Sequence, residues 1–159
     1  LRKISAFKPE ELSGMASAFA SLQIVDEKLM DAISAASISK SSEFGSRSLA
    51  GMLWSFASVA ILDEPLLQAI SKAAITRLQH QAGRTGGRRA AWKPQELSTS
   101  AWSCATLRFE HEPLLDSIAE AAMIIIAEFG AQELSNLVWS MATCAYRDDP
   151  LMAAMSSSS

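Results

Sequence analysis

The side chains in this chain that could do chemistry are few, and their spacing does not suit it. His80 and His111 are the only histidines in the 159 residues, and neither has a cysteine or carboxylate at metal-ligand spacing. Zinc is therefore not expected. Cys104 and Cys144 fall within helical patterns and read as small buried hydrophobes in a reducing compartment rather than as a disulfide. The glycines from Gly83 to Gly87 do not form a Walker-type loop, because no Gly-Lys-Ser/Thr follows and no strand precedes. The paired acids Glu10-Glu11, Asp63-Glu64 and Asp148-Asp149 stand at helix starts, where the helix dipole accounts for them without catalysis. Serines are abundant but have no histidine in a nucleophile and base order. The expectation is a protein without enzymatic activity, cofactor or metal.

Two other sets of residues suit binding. Between Arg77 and Lys93 lie five basic residues, Arg77, Arg84, Arg88, Arg89 and Lys93, and no acidic one, whereas the chain as a whole carries 14 basic and 17 acidic residues. Segregation of this kind supplies phosphate contacts that give affinity without reading sequence. A solvated surface loop without a partner is the plainer alternative. The second set is a column of small, mostly polar residues: Gly14, Ala18 and Ser21; Gly51, Ser55 and Ser58; Thr99, Ser103 and Thr106; Asn136, Ser140 and Thr143. Each trio is spaced i, i+4, i+7 and so lies on one face of a helix. Either these residues let neighbouring helices pack closely, or they line a groove in which hydroxyls and the Asn136 amide meet base edges, one base per unit.

Such a column needs a regular scaffold, and the chain repeats itself. Phe44, Leu49, Trp54-Ser55-Phe56-Ala57 and Asp63-Glu64-Pro65-Leu66-Leu67 return as Trp92, Leu97, Trp102-Ser103-Cys104-Ala105 and His111-Glu112-Pro113-Leu114-Leu115. They return again as Phe129, Leu134, Trp139-Ser140-Met141-Ala142 and Asp148-Asp149-Pro150-Leu151-Met152, and a weaker copy opens at Phe7 with Leu12, Phe19-Ala20 and Asp26-Glu27. Phe7 to Phe44 and Trp92 to Phe129 are both 37 residues apart, and Phe44 to Trp92 is 48, so one junction carries 11 extra residues. A period of this size predicts an all-α fold, an α-solenoid of about four tandem helical hairpins over 1–159, each burying its apolar face on its neighbours. The copies run about 7–43, 44–80, 92–128 and 129–159, the last truncated, with a basic insertion at about 80–91. The hand of the stack is expected to be right-handed by analogy with other helical-hairpin repeats.

Each copy predicts two helices. Leu49, Met52, Leu53, Phe56, Ala57 and Ala60 recur at steps of three and four, predicting a helix from about Ser46 to Ala60. Pro9 and Pro94 suit a first helical turn, and Glu11, Glu96 and Glu133 meet its positive end. Asp26, Asp63 and Asp148 are N-caps for the second helix, and His111 replaces the aspartate in the third copy, where a weaker cap is expected. Trp54, Trp102 and Trp139 read as anchors between repeats rather than as stacking platforms for bases, and Ser17 replaces them in the first copy. Short polar joints such as Lys40 to Glu43 suit antiparallel helix pairs. No segment reads as a strand.

Composition sets bounds. Hydrophobic residues make up 49%, ample for burial, and the longest apolar stretch, Ala121 to Ala127, is far shorter than the roughly 20 residues of a spanning helix. No membrane partner is expected. A pI near 5.4 is low for a free-standing RNA-binding module. The incomplete fourth copy reads as part of a longer chain, with any targeting segment upstream.

The segments Lys93-Pro94-Gln95-Glu96-Leu97-Ser98 with Ala101-Trp102-Ser103-Cys104-Ala105-Thr106-Leu107, and Gln132-Glu133-Leu134-Ser135-Asn136-Leu137-Val138-Trp139-Ser140-Met141-Ala142, resemble octotricopeptide-type helical repeats, similar to those of RAP-domain and FAST-kinase-like organellar proteins. The resemblance implies single-stranded RNA as partner, a mitochondrial or chloroplast location, and a role in transcript stability, processing, translation or ribosomal RNA maturation. No RAP-like domain lies in these residues, so no nuclease-like activity is implied. A protein-docking scaffold in a larger assembly is the rival expectation.

Overall fold

The structure, a computed structural model, describes residues 3–82, 92–145 and 149–158. Among them are eight α-helices and no strand: α1 Pro9–Ser21, α2 Glu27–Ser39, α3 Ser46–Ser58, α4 Glu64–Ala82, α5 Pro94–Leu107, α6 Glu112–Ile124, α7 Ala131–Thr143 and α8 Asp149–Ser158. The odd-numbered helices lie side by side in chain order, α1 on α3, α3 on α5 and α5 on α7. The even-numbered helices form a second layer in the same order, and α1, α3 and α5 each rest on the helix that follows.

The repeated residues explain this arrangement. Phe44 and Trp92 are sealed just before α3 and α5, and Phe129 is 9% exposed before α7. Leu12, Leu49 and Leu97 are fully buried one turn into their helices, with Leu66, Leu67, Ile70, Leu114, Leu115 and Ile118 facing them from the second layer. Pro9 and Pro94 open α1 and α5, and the carboxylates of Glu11 and Glu96 accept the backbone N–H of Lys8 at 2.7 Å and of Lys93 at 3.1 Å. An otherwise orphaned donor is thereby satisfied at each helix start.

The second helices are capped as their residues dictate. Asp26 accepts from Leu29 N–H at 3.1 Å and Asp63 from Leu66 N–H at 3.0 Å. His111 also caps, its Nδ1 accepting from Leu114 N–H at 3.2 Å. Asp148, the remaining expected cap, lies outside the described residues.

Three features depart from expectation. The helix expected to reach Ala60 stops at Ser58, because Ala60 turns into the left-handed region at φ 55°. Gln23, Arg108 and Ala145 take the same conformation at the same place in the other copies, at φ 54°, 52° and 52°. The chain reverses there through bonds from Ile24 N to Phe19 O, Ile61 N to Phe56 O and Phe109 N to Cys104 O, each closing the last turn of a first helix. The polar joint after α2 is itself a 3-10 turn, Ser41–Glu43, matched by Ile4–Ala6 before α1 and Ile126–Glu128 before α7. Finally, α4 runs on to Ala82, so the insertion begins as extra helix and His80 sits on that helix rather than in a loop.

Among the described residues no helix is long and apolar enough to cross a membrane, and no group of three or more histidine, cysteine, aspartate or glutamate side chains could hold a metal ion.

Candidate nucleic-acid interface

The small-residue column divides in two. Ser55, Ser103 and Ser140 are completely buried, and each hydroxyl donates to the carbonyl four residues back: Gly51 O at 2.6 Å, Thr99 O at 2.7 Å and Asn136 O at 2.6 Å. Helix geometry accounts for the division. At 3.6 residues per turn, i+4 is rotated about 40° past i, and i+7 falls about 20° short of it. In α3, α5 and α7 the middle member therefore enters the seam with the preceding first helix, and the last member stays nearer the open side. Asn136, Thr106 and Thr143 are exposed, and Thr99 and Ser58 are half-buried. The expectation that Ser55, Ser103 and Ser140 face bases is corrected: their hydroxyls lie inside helix joints and are already bonded.

Gly51 belongs to the same correction. A Cβ built there would come 2.8 Å from Ser13 Oγ, so the missing side chain lets α1 and α3 approach. Ser13 Oγ donates to Ser48 O at 3.1 Å, and the hydroxyls of Ser17 and Ser55 meet at 3.0 Å. The α1–α3 joint is closed by small side chains and hydroxyls.

The α3–α5 joint is different. Trp54 takes the place of Ser17, is half-buried, and forms part of a groove of about 500 Å³ with Arg47 and Gly51 from α3 and Lys93, Gln95 and Thr99 at the start of α5. Arg47 and Lys93 are exposed, and the positive end of the α5 dipole adds to their field. Glu96 also lines the groove, but its carboxylate is bonded to the Lys93 backbone N–H at 3.1 Å. An aromatic surface, two cations, one carboxylate, a hydroxyl and an amide thus line one groove, a combination able to stack a planar base and, with the cations in excess, to hold a phosphate beside it.

The basic residues expected at phosphates fall in three places. Lys93 lies on the groove, and Arg84, Arg88 and Arg89 lie outside the described residues. Arg77 is half-buried on α4, where its Nη2 donates to Ser42 O at 3.2 Å and clamps the 3-10 turn ahead of α3. Lys40 does the same one repeat earlier, its Nζ donating to Ser5 O and Phe7 O at 2.7 Å each. Arg77, expected at a phosphate, thus uses one of its guanidinium donors to hold the turn ahead of α3.

Sequence reasoning missed Arg47 and Gln95 and assigned Trp54 to the core. Trp102 is likewise half-buried and Trp139 is 50% exposed, so none of the three recurring tryptophans is sealed in the way Trp92 is. A signal for Arg47 was present, since Glu10, Gln95 and Gln132 hold its place in the other copies and it alone is basic.

The two thiols are inert. Burial first, and Cys144 nearby second, push Cys104 up from an ordinary 9.0 to about 12; burial and then Glu110 raise Cys144. Both stay protonated near neutral pH and are poor nucleophiles.

No family model matches this chain. No curated protein matches it either.

Proposed function

We propose that the four copies form an α-solenoid and that this solenoid is an RNA-binding segment of an organellar RNA-metabolism protein. The stack is supported by the order of the contacts, first helix on first helix and second on second along the chain. The partner is single-stranded RNA. One observation carries the reading: Trp54 is flanked by Arg47 and Lys93 in a single groove at the start of α5. A base stacks on Trp54, its phosphate is held by Arg47 and Lys93, and Gln95 and Thr99 meet polar edges. Arg84, Arg88 and Arg89, a few residues ahead of Lys93 in the chain, extend the phosphate track. Asn136 and Thr106 act as edge-reading groups on the neighbouring open surface. The segment binds without catalysing, so processing, stabilisation or translation of the transcript is done by what it recruits or shields.

The test is fluorescence anisotropy with labelled homopolymeric oligoribonucleotides across a salt series. Changing Arg47 and Lys93 to Ala should lower the slope of log affinity against log salt by about 1.4, at about 0.7 per contact on a single strand. Changing Trp54 to Ser should weaken binding about tenfold with the slope unchanged, as loss of one stacked base costs about 1–3 kcal/mol. Binding that ignores both changes removes the groove from the reading.

A further inference from the structure

The second-helix layer carries a groove of its own. At the α4–α6 joint, Gln68, Ala69, Lys72, Ile75 and Thr76 of α4 and His111, the cap of α6, line a space of about 440 Å³. The joint is internal, with α4 packed between α2 and α6, and α6 between α4 and α8. Its charge sets it apart from the equivalent joints. The places of Gln68, Lys72 and His111 are held by Asp31, Ala35 and Asp63 one copy earlier, and by Asp116, Glu120 and Asp148 one copy later. At this joint alone, all the carboxylates at these places are gone and a lysine and a histidine stand among their replacements.

The groups that face the groove are ready to donate. Among the described residues the side chains of Gln68 and Lys72 have no hydrogen bond or ion pair, and both are exposed. His111 Nδ1 accepts the Leu114 N–H at 3.2 Å, so the ring proton sits on Nε2 and is free to be given. Aspartate would cap α6 at least as well; what histidine adds is that second, donating nitrogen. The Thr76 hydroxyl is spent on Lys72 O at 2.9 Å, and Ala69 and Ile75, both half-buried, supply an apolar floor.

We propose that the α4–α6 groove binds a single carboxylate carried on a short apolar body, supplied by a free acid or by the C-terminus of a peptide. Lys72 Nζ and His111 Nε2–H take the carboxylate oxygens in charge-assisted bonds, and Ala69 and Ile75 cover the apolar part. The space suits a ligand of that size. A polyanion is disfavoured, because the exposed carboxylates of Asp31 on α2 and Glu120 on α6 flank the groove in the neighbouring copies. The inference therefore does not rest on RNA binding, which uses the first-helix layer.

The experiment is a nuclear magnetic resonance titration of the full 159-residue chain at constant pH and ionic strength. The probes are hexanoate, a short acetylated peptide ending in leucine, the same peptide amidated, and inorganic phosphate. Saturable shifts of the His111 ring and of residues 68–76 of α4 are expected with hexanoate, with the free-ended peptide or with both, and whichever saturates identifies the source. The amidated peptide should bind at least about tenfold more weakly, since it cannot accept charge-assisted bonds. His111→Asp restores the cap used in the other copies and Lys72→Gln changes an exposed side chain, so both variants keep the fold; each should weaken carboxylate binding at least about tenfold. No saturation with either carboxylate, an amidated peptide that binds equally well, phosphate that binds more tightly than both, or variants that bind like the wild type would each overturn the proposal.

Discussion

The α1–α3 and α3–α5 joints pair equivalent helices at equivalent positions and are equally close-packed, yet they are lined by different side chains. In the first, Ser17 reaches across to Ser55 at 3.0 Å and Ser13 bonds to the Ser48 carbonyl, so small groups and hydroxyls fill the seam. In the second, Trp54 occupies the place of Ser17, and a groove flanked by Arg47 and Lys93 opens beside it. The position held by Ser17 in one joint and Trp54 in the other is thus lined with a hydroxyl in the first and an aromatic surface in the second. A large aromatic side chain that cannot be wholly covered keeps an exposed face, and cations stationed nearby make that face useful.

The comparison can be broken most strongly at Leu53. This side chain is 1% exposed at the α3–α5 joint, and Leu53→Ala should cost about 2–5 kcal/mol in urea unfolding. Its equivalent on α7, Val138, is 39% exposed, and Val138→Ala should cost under about 1 kcal/mol. Equal costs would mean that Val138 is covered in solution.

The α5–α7 joint adds a pH test, since Cys104 sits on α5 and Cys144 just after α7. The folded chain holds the Cys104 proton up to about pH 12, whereas the unfolded chain releases it near 9.0. Stability is thus whole below about pH 9 and falls as pH rises through that window, by up to about 1.4 kcal/mol per pH unit for this thiol. Cys104→Ala should flatten the fall in urea midpoint between about pH 8 and pH 10, and an unchanged fall would place its origin elsewhere.

Installing the second joint's residue in the first sharpens the comparison. Ser17→Trp removes the bond to Ser55 and overfills a seam built for hydroxyls, and should cost about 1–3 kcal/mol in thermal or chemical unfolding. A neutral result would show that the α1–α3 seam can take an aromatic side chain as the next one does. The smallest expected effect is at the turn that ends α3. Ala60 holds φ 55°, a conformation that glycine adopts without strain, and Ala60→Gly should raise stability by up to about 1 kcal/mol.

Much of the architecture was legible because its causes are local. The recurrence of Leu12, Leu49 and Leu97, the prolines at Pro9 and Pro94 and the aspartates at Asp26 and Asp63 mark helices and their starts, and each does the work its type suggests. The site was less legible. Ser55 and Thr106 look alike in a helical pattern, but a rotation of some tens of degrees buries one in a joint and leaves the other open. Arg77 reads like the arginines that follow it, yet a carbonyl 35 residues earlier in the chain claims its guanidinium. The left-handed turn after each first helix was invisible, since Gln23, Ala60, Arg108 and Ala145 include no glycine to announce it.

By itself the sequence determined that this protein is helical, that its copies share one register, and which residues open each helix, because capping, proline geometry and apolar periodicity act within a few residues. Tertiary structure alone decided which small residues vanish into the joints and where a tryptophan keeps an open face between two cations. Those outcomes depend on how far one helix is rotated and how closely it approaches the next, and that is set by side chains some 37 residues apart meeting across a seam.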